Sequence, residues 1–195
     1  MISVIIPLMP IEPYDTIYMD AVDALEKQTV ECEIIVSKQD VEPFINKGKL
    51  LNDGIEKALG DVLWFCDADF IPDATLLEMM EERLYKKRLD VIFPMFYSNV
   101  HKQLKLADGA PFMRRSVLDK FGKFNETHLG ISWVTFPFLK WCLDNCEFFC
   151  SNEFIVDINH TPQRLAGKRH SKTSGELRSI YKETVKTLQG MGVWP

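Results

Sequence analysis

Val62-Leu63-Trp64-Phe65-Cys66-Asp67-Ala68-Asp69-Phe70-Ile71-Pro72 decides how this chain is read. An unbroken apolar run leads straight into two aspartates separated by one alanine. A short run of this kind is a strand buried on both faces, as in the middle of a parallel sheet. If the chain stays extended through Asp67 and Asp69, residues i and i+2 point the same way and the two carboxylates converge. They then stand at the carboxyl end of a central strand, where open α/β sheets bind ligands. Two such carboxylates repel each other unless a cation lies near them. Hard oxygen donors at an open site suit Mg2+ or Mn2+ bound together with phosphate. The competing structural reading has one aspartate capping the next helix and the other in water. Pro72 is expected to open that helix at its first position, with an acidic first turn from Asp73.

Outward from this stretch, strands and helices alternate. Residues 3–7 are a short apolar run closed by Pro7, residues 17–25 carry a helical stripe, and residues 33–36 form a second buried strand. Leu51, Ile55, Ala58 and Leu59 mark a second helix, with Gly60 read as its C-cap. Residues 90–94 supply a fourth strand. The order β-α-β-α-β-α-β predicts an α/β fold with a mostly parallel, Rossmann-like sheet, right-handed crossovers and helices on both faces. Beyond residue 95 the pattern loosens. It gives a strand at 101–106, helices at 116–121 and 133–143, and a strand or strand pair at 148–158. Residues 161–172 are polar and basic. Thr173 to Glu176 reads as a capping box before an amphipathic C-terminal helix carrying Leu177, Ile180, Tyr181, Val185 and Leu188.

Composition narrows the function classes. A chain of 195 residues that is 46% apolar buries a core large enough to need no disulfide or structural metal. No apolar run approaches about 18 residues, so no membrane span is expected, and the first residues lack the pattern of a signal peptide. The formal net charge of −5 argues against nucleic acid as a partner. That charge is uneven: residues 1–159 carry 16 basic and 26 acidic side chains, residues 160–195 carry 7 and 2. Five cysteines, an odd number, point to reduced thiols and a cytoplasmic location. Cys142, Cys146 and Cys150 recur at helical spacing, but no second pair completes a zinc site. They are read as small buried residues.

Four segments carry a resemblance. They are Ser3-Val4-Ile5-Ile6-Pro7; Asn46-Lys47-Gly48-Lys49-Leu50-Leu51-Asn52-Asp53-Gly54; the D-x-D stretch from Trp64 to Pro72; and the stretch from Gly109 to Glu126 with Arg114, Arg115 and Gly122-Lys123-Phe124-Asn125-Glu126. In this order the chain resembles a glycosyltransferase of the GT-A fold, in the broad group of family 2 and the β-1,4-galactosyltransferase-like enzymes. The resemblance implies a nucleoside-diphosphate sugar donor, UDP-linked, and an unknown glycan, protein or lipid acceptor. It implies donor contacts from Pro7, Asp40, Lys47, Lys49, Asn52, Asp67, Gly109 and Trp133. It implies Mn2+ or Mg2+ held by Asp67 and Asp69, with His160 and Asp157 completing the shell. Residues 1–160 would then be the nucleotide-sugar-binding and catalytic domain, and residues 161–195 a basic loop and helix packed on it or extending from it.

The resemblance breaks at one place. Inverting members of the group carry an acidic pair about ten residues after the segment matched by Phe124 to Glu126, and one of those carboxylates is the base. Residues 128–136 hold no carboxylate. Glu126, Asp108 or Asp144 would have to serve instead. Otherwise the enzyme retains configuration, or the chain is a catalytically silent nucleotide-sugar or glycan-binding module. A dehalogenase-type phosphatase would place its D-x-D on the first strand. A nucleotidyltransferase would carry a Gly-rich loop after that strand, where this chain has Pro7-Leu8-Met9-Pro10.

Overall fold

The computed structural model describes residues 1–8, 14–38, 46–98, 103–127, 134–158 and 175–191. At its centre is β1 (Ile2–Leu8), buried along its whole length. β1 pairs in parallel with β2 (Cys32–Lys38) on one side and, from Ile2 to Ile5, with β3 (Val62–Phe65) on the other. α1 (Tyr14–Leu25) and α2 (Lys47–Lys57) lie in the two connections. Strand alternation then sorts the side chains onto two faces. Ile2, Val4, Ile6, Leu8 and Trp64 share one core with Leu25 of α1 and with Leu77, Met80 and Leu84 of α3 (Leu76–Lys86). Ile5, Leu63 and Phe65 share the other with Leu51 of α2. Helices on both faces of a buried sheet are what the apolar runs lead one to expect.

The sheet itself is mixed, and this corrects the mostly parallel expectation. The remaining strands are β4 (Phe70–Ile71), β5 (Val91–Ser98), β6 (Gln103–Leu106), β7 (Phe112–Arg114) and β8 (Phe148–Ile158). The order is β2-β1-β3-β7-β5-β8-β4, with β6 against β5. β3 does not meet β5; β7 lies between them, antiparallel to both. β4 is antiparallel to β8, and β6 to β5, while β5 and β8 are parallel. The cause is the hairpin of β5 and β6, in which Ser98 lies opposite Gln103 and the chain direction reverses; β7 keeps the direction of β6 and pairs with both β5 and β3. A reversal this tight needs no helical crossover, so an antiparallel strand enters where a βαβ unit would have placed a parallel one.

Two further expectations give way. Pro72 does not begin a helix: it follows β4, and α3 starts only at Leu76, after a turn in which the Leu76 N–H donates to the Asp73 carbonyl. Gly60 is not the C-cap of α2, which ends at Ala58 in an extended conformation. Gly60 is needed for close approach instead, because a Cβ there would sit 2.6 Å from the Met1 carbonyl oxygen and 2.7 Å from Ser3 Oγ. The remaining helices, α4 (Arg115–Phe121), α5 (Thr135–Asn145) and α6 (Gly175–Gly190), place Leu118, Phe138, Leu139 and Leu188 in the second core. The proposed capping residue Thr173 lies outside the described residues. Among the described residues no helix is long and apolar enough to cross a membrane.

The two arginines of the stretch from Gly109 to Glu126 hold backbone rather than ligand. Arg115 donates from Nε to the Gly60 carbonyl at 2.8 Å and from Nη2 to that of Ala58 at 2.5 Å, closing the C-terminal end of α2. Arg114 donates to the Leu89 carbonyl at 2.8 Å and lies over the Tyr85 ring. Arg115→Met should therefore cost about 2–3 kcal/mol of stability by stranding half-buried carbonyls. Urea denaturation measures it, and a loss below about 0.5 kcal/mol would remove this role.

Candidate active site

The site forms where β1 and β3 end. The β1–β3 ladder continues one step past Phe65, with the Cys66 N–H donating to the Ile5 carbonyl at 2.9 Å. The chain then turns: the Phe70 N–H donates to the Asp67 carbonyl at 3.0 Å. Asp67 to Phe70 is thus a reverse turn, which corrects the extended geometry expected from the sequence. The turn carries the chain into β4, and Phe70 into the first core. As a result the two carboxylates have different surroundings. Asp69 is 1% exposed, while the Asp67 side chain keeps 31% of its surface. The Cys66 thiol between the strand and the turn is pushed well up by burial and by both aspartates.

Three other elements converge on Asp67. Asn46 caps α2, its Oδ1 accepting from the Lys49 N–H at 2.9 Å, and so fixes the first helical residue, Lys47. Lys47 is buried, and its Nζ lies 2.8 Å from Asp67 Oδ1. The turn between β6 and β7 brings in Gly109, where a Cβ would stand 2.9 Å from Lys47 Nζ and 3.6 Å from Asp67 Oδ2. Only a residue without a side chain leaves the ammonium this room. Beside Gly109, Asp108 accepts a long hydrogen bond of 3.4 Å from the Thr135 hydroxyl at the start of α5. Burial raises the Asp108 carboxyl to about 6; the Asp67 charge adds to this, and Lys47 works against it. Thr135 was not singled out from the sequence. Its only local signal is a hydroxyl near a helix start.

The other expected residues are placed as follows. Pro7 is on β1 beyond the β3 pairing, opposite Ser37 of β2. Lys49 is exposed and pairs with Asp53 at 2.7 Å. Asn52 is buried, and its amide is used by Phe124, which it meets twice at 3.0 Å, and by Glu126 Oε1 at 2.8 Å. Glu126 is therefore tied to α2 rather than gathered with Asp67. Asp144 pairs with Lys140 and stands about 14 Å along α5 from Thr135 at 1.5 Å per residue. Asp157 is exposed on β8 opposite Ile71, and Ile158 pairs with Phe70, so β8 ends beside the D-x-D turn. Asp40, Trp133 and His160 lie outside the described residues, as does the basic run at 164–172.

Among the described residues no group of three or more His, Cys, Asp or Glu side chains forms a metal cage. Asp67 and Asp69 still suit a hard divalent ion, because Mg2+ and Mn2+ keep water and substrate phosphate in much of their shell. The three cysteines make no such site. Cys142 is buried, and burial raises the thiols of Cys142, Cys146 and Cys150.

A β-α-β half carrying a strand-end D-x-D turn, followed by an antiparallel insertion that walls the same site, defines the GT-A class. The chain belongs to glycosyl transferase family 2, whose profile matches residues 22–133. Solved structures agree in fold. A mutant Drosophila β1,4-galactosyltransferase 7 in complex with manganese, UDP-Gal and xylobiose superposes with a TM-score of 0.66 at 17% identity, covering 92% of this chain and 78% of that one. Residues 1–349 of S. aureus TarS with UDP-GlcNAc give 0.65 at 13% identity, over 96% and 66%. The mannosyltransferase PcManGT from Pyrobaculum calidifontis with GDP-Man and Mn2+ gives 0.59 at 12%, over 84% of this chain and 58% of that one. This chain also spans only 43% of a longer TarS chain. No curated protein matches the sequence.

A raised carboxyl destabilises the fold as it ionises. The stability lost to Asp108 is absent below about pH 4 and grows as pH rises through about 6. Asp108→Asn should therefore be more stable than the parent at pH 7–8, by about 1–3 kcal/mol, and no more stable at pH 4. Thermal melts across pH report this, and a difference that does not vary with pH would contradict the raised carboxyl.

Proposed function

We propose that the protein is an inverting glycosyltransferase that moves a sugar from a nucleoside-diphosphate donor, UDP-linked, to an acceptor hydroxyl. The observation that carries the reading is the Lys47–Asp67 pair at 2.8 Å, roofed by Gly109 and flanked by Asp108. The pair stands where β1 and β3 end, and the carboxyl ends of strands are where open α/β sheets take their ligands, which supports reading it as part of the donor site. Two solved structures of like fold hold uridine nucleotide sugars and a third holds GDP-Man, so UDP- and GDP-linked donors are both tested, the UDP-linked ones first.

The chemistry follows from the residues. Asp108 takes the proton of the acceptor hydroxyl. The oxygen attacks the anomeric carbon, and the bond to the diphosphate breaks with its electron pair leaving on phosphate. A carboxyl near 6 is well matched to this task at neutral pH, being ionised yet still basic. Lys47 meets charge as it develops on the leaving group. Asp67 and Asp69, with Asp157 and His160 as further candidates, would hold a divalent cation. When bound, that ion stabilises the departing diphosphate as a Lewis acid. Of the three candidate bases, Asp108 alone stands with Lys47 and Asp67. Glu126 is held by Asn52, and Asp144 lies down α5.

Product analysis with UDP- and GDP-sugars, with and without Mn2+, tests the activity. Asp69→Asn should abolish metal-dependent nucleotide binding. Asp108→Asn should lower kcat by about 10²–10⁴-fold with donor KM nearly unchanged, while Asp144→Asn keeps the parental rate. Retention of configuration, or an Asp108→Asn variant of full activity, would exclude Asp108 as base. Metal-dependent binding without turnover on any acceptor would instead identify a silent nucleotide-sugar-binding module.

A further inference from the structure

The Lys47 side chain is 6% exposed, and its ammonium is held to Asp67 Oδ1 at 2.8 Å. A charge so enclosed is tolerated only while an opposite charge stays beside it. The fold provides for this arrangement. Lys47 is fixed at the start of α2 by the Asn46 cap, and the gap left by Gly109 is filled by its ammonium. The carboxylate it holds is the first aspartate of the D-x-D turn, one of the two donors that suit a divalent ion. A cation and the Lys47 ammonium therefore compete for one group. An arriving cation would also repel Lys47 and take its Asp67 partner, leaving it only the buried Asp108 carboxyl nearby unless an anion came with the cation.

We propose that Lys47 is a latch on the D-x-D turn. It keeps Asp67 occupied until a divalent cation and a nucleoside diphosphate arrive together, and then passes from the carboxylate to the phosphate. The inference rests on the donor-binding reading above and adds a coupling between the two ligands. The cation alone binds poorly because it must displace Lys47. With the diphosphate present, displaced Lys47 gains a new partner and the penalty disappears. Linkage requires the same factor to appear in both affinities.

The test counts free Mn2+ by electron paramagnetic resonance, with the whole protein, in the absence and presence of saturating UDP. In the parent, Mn2+ alone binds weakly and UDP strengthens it. Lys47→Met removes the competitor, so Mn2+ alone should bind about tenfold more tightly. The strengthening by UDP should fall by about tenfold, leaving what direct chelation by the diphosphate provides. Lys47→Gln, which keeps a hydrogen-bond donor without the charge, should behave alike and guards against a folding defect in the methionine variant. Mn2+ affinity that is unchanged or weaker in these variants, in a parent that binds Mn2+ with UDP, overturns the latch alone. A parent that binds no Mn2+ even with UDP or GDP overturns the donor-site reading, and the latch with it.

Discussion

The ladder between β1 and β3 governs the placement of everything around the site. Four paired residues and one further bond at Cys66 fix how far β3 reaches, and so where Asp67 leaves the sheet. The same ladder has a second anchor at its other end. Gly60, just before β3, is pressed against Met1 and Ser3 of β1 and donates its N–H to Ser3 Oγ at 2.7 Å. Arg115, following β7, grips Gly60 and Ala58 from the far side. The end of α2, the start of β3 and the start of α4 are thereby locked together. With both ends of α2 held, the one by Arg115 and the other by its Asn46 cap, Lys47 meets Asp67 with little freedom left to lose.

Legibility in the sequence followed the strength and length of local signals. The β1 and β3 runs were readable because burial on both faces leaves almost no polar residues to confuse the period, while β2, a half-buried edge strand, was readable from Ile34-Ile35-Val36. α2 was readable from its apolar stripe, and the D-x-D from an abrupt change of character at one point. β7 was not readable. Three residues cannot display a period, and Phe112-Met113-Arg114 runs without a break into α4. Missing it turned a mixed sheet into a parallel one.

The site was legible in its acids and less so in its partners. Asp67 and Lys47 were both expected near the donor, yet nothing local announces that residues 20 positions apart will form an ion pair. The turn at Asp67 is set by a tertiary demand, the pairing of β4 with β8, which the preceding apolar run cannot reveal. Asn52 shows the reverse case. A buried polar residue in the segment from Asn46 to Gly54 looks like a ligand contact, but its amide satisfies the backbone of Phe124 in both directions. Buried amides are usually explained by such neighbours.

That grip by Asn52 ties residues 124–126 to α2. The chain arrives at Glu126 already fastened to α2, since Asn46 donates to the Glu126 carbonyl at 2.7 Å. It is fastened again at Thr135 through Asp108. Both moorings adjoin the Lys47–Asp67 pair, the first through Asn46 at the cap of α2 and the second through Asp108 beside Gly109. A change at Asn46 or Asp108 therefore acts on the ion pair and on the chain it holds at the same time.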